Sequence, residues 1–213
     1  MIKTSSFLTG LTLFLATSFL PATVFAADLH NGMISVASLD GTQDVTILGV
    51  TLEADHEGTA LLGSVFLSDK TEIGAGYSKS ELTLLGSEFD EEIMFANAKY
   101  HFSRANLREG HGMGLAAEIV ISDTKLSYNS SSDYNQTTHV GLNYQLGLGA
   151  GFTLDTAIRT VIDDIGEGYI ADIGIIKTLD DLVLKATYTL STDEADISSS
   201  DGDTLMVSIG FLF

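Results

Sequence analysis

The sequence predicts an all-β fold: an antiparallel up-and-down β-barrel of about ten strands that crosses a membrane, with eight or twelve strands as alternatives. Three observations carry this expectation. Large apolar side chains recur at every second position through most of the chain, which is the period of a strand. The connections between these stretches alternate between short and long. The chain also ends on TLMVSIGFLF, with Leu205, Val207, Ile209, Phe211 and Phe213 on one face and no later segment to cover them.

The first 26 residues read as a secretory signal. Lys3 supplies a positive start, Phe7 to Leu20 an apolar stretch, and Val24, Phe25 and Ala26 a small-residue cleavage site. Residues 27–43 are then expected as a periplasmic N-terminal segment, and residues 44–213 as the barrel. Nothing after residue 26 is long and apolar enough for a spanning helix, so insertion would have to be by strands.

Composition agrees with a ladder-rich chain. The one proline, Pro21, lies in the signal, and there is no cysteine to form a disulfide scaffold or carry a lipid. Of 213 residues, 10 are basic and 29 acidic, for a net charge of −19. Nucleic acid is excluded as a partner, because phosphate binding needs a basic face.

Taken in order, the expected strands begin with three less regular stretches: Asp44 to Ala54, Ala60 to Ser68 and Glu72 to Ser80. Cleaner alternation follows. Met94, Ala96, Ala98, Tyr100 and Phe102 form one face, and Met113, Leu115, Ala117, Ile119 and Ile121 the next. Val140 to Leu146, Phe152 to Ile158, Tyr169 to Ile175, Leu182 to Leu190 and Leu205 to Phe213 complete ten. A further strand over Met33 to Leu39 would make eleven and break the even count, so that stretch is assigned to the N-terminal segment.

The connections distinguish a barrel from a soluble sandwich. Asp69 to Thr71, Arg104 to His111, Gly147 to Gly151 and Thr178 to Asp181 are short. Asp55 to Thr59, Glu81 to Glu91, Thr124 to Gln136, Val161 to Gly168 and Thr192 to Gly202 fall at the other end, and most are long. Short turns at one end and longer loops at the other are what a transmembrane barrel shows. Aromatics near the strand ends follow the same geometry. Phe102, Tyr144, Phe152, Phe211 and Phe213 lie toward one interface, and Tyr77, Tyr169 and Tyr188 toward the other.

With those residues in view, the stretch Leu205 to Phe213 resembles the C-terminal signature of Gram-negative outer-membrane β-barrel proteins. The resemblance implies an outer-membrane location and assembly-signal roles for Leu205, Val207, Ile209, Phe211 and Phe213, read by the barrel-assembly machinery. It also implies contact with outer-membrane lipid and lipopolysaccharide. It implies no single activity, since small barrels of this class include pores, adhesins and enzymes.

The inward positions carry Glu72, Lys99, Glu118, His139, Asn143, Gln145, Asp155, Arg159, Asp172 and Lys185. A barrel of this size is largely filled by side chains, so opposite charges should pair there. Lys99 is expected beside Glu118, and Arg159 and Lys185 beside Asp172 with Asp155 nearby. The expected function is a narrow pore or gated conduit with an ion-paired lumen. A non-conducting structural or adhesin-like barrel is the alternative.

Enzyme readings come third. His101 and Ser103 form a His-x-Ser pair similar to that of outer-membrane lipid A deacylases, but strand phase places both inward. An omptin-like protease would need Asp163, Asp164 and a histidine such as His139 to converge at the rim, whereas His139 faces the lumen. No catalytic residue, metal ligand or cofactor is assigned. Acidic clusters at Glu88 to Glu92 and Asp193 to Asp203 could attract divalent cations, although no calcium-loop spacing is present.

Overall fold

The computed structural model describes residues 32–47, 49–162, 167–195 and 198–213; the expected signal and the expected Asp163–Asp164 pair lie outside the described residues. Ten strands, β1 to β10, run Gly32–Ile47, Val50–Phe66, Thr71–Leu84, Ser87–Ser103, Met113–Tyr128, Ser131–Gly149, Phe152–Val161, Glu167–Leu179, Leu182–Ala195 and Ser198–Leu212. Each pairs antiparallel with its neighbours in sequence, and β1 pairs with β10 to close the barrel. At the seam, Gly32 and Phe213 exchange backbone hydrogen bonds of 3.1 and 3.0 Å.

Following the register from Lys99 of β4 through β5 and around to β3 leads back to β4 at Ser87. That return lies twelve residues along the strand, so the shear number is 12. Twelve residues of stagger over ten strands tilts the strands by roughly 40°, within the range usual for barrels. We call the end with both described chain termini the base and the opposite end the rim.

The number of strands agrees with the sequence reading, but the first two were misplaced. The expected strand Asp44 to Ala54 straddles the β1–β2 hairpin, and the expected loop Asp55 to Thr59 is mid-strand in β2. Residues 32–43, assigned to a separate N-terminal segment, form most of β1 and pair with both β10 and β2. Several expected loops are also ladders. Only Leu85 and Gly86 separate β3 from β4, and only Asn129 and Ser130 separate β5 from β6. Leu85 and Gly86 both have positive φ, 53° and 73°, which matches the twist of a tight hairpin.

The reason is a change of phase along the strands. Near the base, large apolar residues point outward: Ile34 and Val36 on β1, Ile73 and Tyr77 on β3, Phe211 on β10 and Phe213 just after it. Toward the rim the pattern inverts. Glu81 and Thr83 point outward on β3, while Leu82 and Leu84 are buried inside. Val45, Ala54, Leu82, Leu84, Phe89, Ile93 and Leu126 form an interior apolar core at the rim. On β5 the outward apolar run covers nine residues, Met113 to Ile121, or roughly 20 Å along the axis at this tilt. That height is close to the ~25 Å apolar band of a membrane barrel.

Two further apolar clusters lie below. One joins Ala37, Leu39, Ala60, Leu62, Phe95, Val120, Ile170 and Met206 from six strands, so opposite walls meet across the lumen. The other, at the base, joins Met33, Ile176, Val183 and Leu212 to Leu107 of the β4–β5 connection.

Candidate functional site in the barrel interior

Charged residues of the interior alternate with residues of the apolar belt. Lys99 lies between outward Ala98 and Tyr100, Glu118 between Ala117 and Ile119, and Asp172 between Ala171 and Ile173. They therefore sit at the level of the belt, where an unpaired charge is most costly.

All are paired. The Lys99 Nζ lies 3.6 Å from Glu118 Oε1. That oxygen also accepts a 2.9 Å hydrogen bond from Asn97 Nδ2. Arg159 donates through Nε to Glu118 Oε2 at 3.0 Å and through Nη1 to Asp172 Oδ2 at 2.6 Å. Thr189 Oγ1 donates to the other Asp172 oxygen at 2.7 Å. Lys185 Nζ donates to Asp155 Oδ2 at 2.5 Å, and Asp155 Oδ1 accepts from Asn143 and Gln145 at 3.0 and 3.1 Å. Three cations thus meet three carboxylates, and none of the six residues exceeds 6% exposure.

The structure places Lys99 beside Glu118 and Arg159 beside Asp172, joins the two pairs through an Arg159–Glu118 bond that the sequence reading did not include, and gives Lys185 a different partner. Lys185 is bonded to Asp155, two strands away, rather than to Asp172 on the adjacent strand. Asp155 of β7 faces Gly174 of β8, and Gly174 faces Thr187 of β9, two residues from Lys185. For Arg159 the space is left by a glycine, since Glu118, Gly141 and Arg159 lie on one row. A Cβ at Gly141 would fall 2.7 Å from Arg159 Cγ.

No family model matches the chain, and no curated protein matches it. Solved structures do. The chain is similar to Neisserial surface protein A at 8% identity and a TM-score of 0.45, covering 85% of this chain and 97% of that one. It is similar to Ail, the attachment invasion locus protein of Yersinia pestis, at 14% identity and 0.40, covering 86% and 99%. For the CymD monoaromatic hydrocarbon channel the values are 12% and 0.40, over 76% of this chain; the chain spans about half of that channel's length, 53%. These likenesses concern barrel architecture, and no activity passes from them to this chain.

Two histidine–carboxylate pairs flank the central network. His101 Nε2 lies 2.9 Å from Glu72 Oε2 near the base. His56 Nε2 lies 3.5 Å from Glu91 Oε2 near the rim, and Ser80 Oγ also donates to that oxygen at 3.1 Å. The second pair was missed in the sequence because His56 and Glu91 fall where strand phase inverts and were read as loop residues. His101 and Ser103, expected on one face, are parted by a register shift: His101 is buried and Ser103 exposed. His139 is fully buried, with Nε2 3.3 Å from Thr137 Oγ1.

The rim wall is acidic. Asp40 faces Glu57, Glu57 faces Glu81, and Glu81 faces Asp90 across adjacent strands. Lys79 lies 3.7 Å from Asp90, and Lys125 lies 3.4 Å from Glu92. Among the described residues no group of three or more His, Cys, Asp or Glu side chains is placed to hold a metal ion.

Proposed function

We propose that this protein is an exported outer-membrane barrel that holds no open channel and acts as a structural or surface-interaction barrel, through the β-walled rim that stands clear of the bilayer. One observation carries the reading: at belt level the three cations and three carboxylates of the lumen are paired with one another and buried. A conducting filter presents carbonyls or a ring of one charge sign to water. This network is charge-balanced and buried, as a plug would be.

On this reading residues 1–26 are the export signal, outer-membrane lipid and lipopolysaccharide surround the belt, and the barrel-assembly machinery reads Leu205, Val207, Ile209, Phe211 and Phe213. The acidic rim suits a cationic partner or a layer of divalent cations better than a polyanion. Among the described residues His101 and Ser103 do not share a face, so that pair gives no support to an enzyme.

The test is single-channel recording of the purified protein in planar bilayers. Wild type should show no stable conductance, and Arg159→Ala should show openings, because Glu118 and Asp172 then lose their shared cation. Stable wild-type steps would overturn the reading. The gated conduit expected from the sequence is the second reading, favoured by the base being closed by a connection rather than by the wall. Rare voltage-dependent wild-type openings would support it.

A further inference from the structure

We propose that residues 104–112, the connection between β4 and β5, form a releasable lid on the base of the barrel, with Leu107 as its stopper. This goes beyond the plugged lumen, because the lid can open while the ion-paired network stays closed.

The segment is a folded piece, not a slack loop. Asn106 and His111 exchange backbone hydrogen bonds of 2.8 and 3.1 Å, and the Glu109 amide donates to Asn106 Oδ1 at 2.8 Å. It docks along the β6–β7 turn. The amides of Gly147, Gly149 and Gly151 donate to the carbonyls of Gly112, Gly110 and Glu109 at 2.9, 2.6 and 3.0 Å. Leu107 is 0% exposed and packs with Met33, Ile176, Val183 and Leu212, on strands far around the wall from β4 and β5. Arg108 pairs with Asp181 in the β8–β9 turn. One short segment therefore spans the mouth and is fastened on its far side.

What makes it releasable is the layer it covers. Ser64, Glu72, Gln145, Thr153 and Thr178 face inward near the base, and each carries a buried polar atom with no hydrogen-bond partner. Burying such groups opposes closure, whereas burying Leu107 favours it. Opening would return water to these groups at the expense of one apolar side chain, three backbone hydrogen bonds to the β6–β7 turn and one exposed ion pair, the last worth little in solvent. Opposed contributions are what a two-state element needs.

The test places a thiol beneath the lid, as Ser64→Cys, with Thr153→Cys as a second reporter, in the full-length protein in lipid vesicles. A small water-soluble maleimide should label either slowly, Leu107→Ser should raise the rate at least tenfold, and Arg108→Ala should raise it by a smaller factor. Amide exchange should show Gly147, Gly149 and Gly151 opening together, faster than Asn143 within β6. Equal labelling rates with and without the lid substitutions, with the thiols reactive after unfolding, would overturn the proposal. Immediate full labelling under the unaltered lid would also overturn it, since the base would then not be closed.

Discussion

Glycine sets how far Arg159 can reach in this barrel. Arg159 bonds Glu118 over Gly141, where a side chain would meet it, and Lys185 bonds Asp155 across β8. Gly141→Val should therefore part Arg159 from Glu118 and strand a buried carboxylate. The expected loss is about 3 kcal/mol, the scale of breaking one buried pair, read as a lowered urea midpoint in detergent. A loss under about 0.5 kcal/mol would mean the bond reforms around the new side chain. Lys185→Met should cost a similar amount, while Lys185→Met with Asp155→Leu should recover most of it, because no lone charge then remains. A double variant no better than the single one would show that Asp155 is held by Asn143 and Gln145 regardless of Lys185. The inward placement of all six charges was legible in the sequence because alternation fixes which face a residue takes. The true partner of Lys185 was not, since it depends on register.

At the scale of single elements, legibility followed the solvent. Strands β4 to β10 could be read where they cross the belt, because their outward face is apolar and the inward face polar or small. Above the belt the outward neighbour is water and the inward neighbour a core, so Glu81, Thr83 and Glu88 outside and Leu82, Leu84 and Phe89 inside reverse the pattern. A reading that expects one phase along a strand takes the inversion for a loop, and β1 and β2, with the shortest apolar stretches, were displaced by it. Two outcomes belong here. A cysteine at Ser131, on the rim, should react with an impermeant reagent on intact cells, and one at Asp69, on the base, should not; labelling at Asp69 alone would reverse the orientation. Deleting Phe213 should remove both hydrogen bonds to Gly32 and lower the yield of folded barrel in the membrane. Normal yield would mean that β1 and β10 close without it.

For the whole molecule, a shear of 12 over ten strands leaves an interior that the side chains of opposite walls fill. Four layers follow from that. An apolar core lies under the rim, the apolar cluster of Leu39, Phe95 and Ile170 lies below it, an ion-paired layer lies within the belt, and an apolar layer completed by Leu107 lies at the base. The sequence predicted a closed barrel and a paired lumen but not the layering, because Leu107 belongs to a connection with no period and the rim core belongs to residues read as loops.

The central claim is that each strand passes from lipid to water along its outer face while its inner face stays dry. It is tested most directly by nitroxide scanning of β3 in lipid vesicles, comparing collisions with oxygen and with a water-soluble nickel complex. Labels at Ala75 and Tyr77 should favour oxygen, labels at Glu81 and Thr83 should favour nickel, and a label at Ser78 should meet neither. Nickel access at Ala75, or free nickel access at Ser78, would contradict the account.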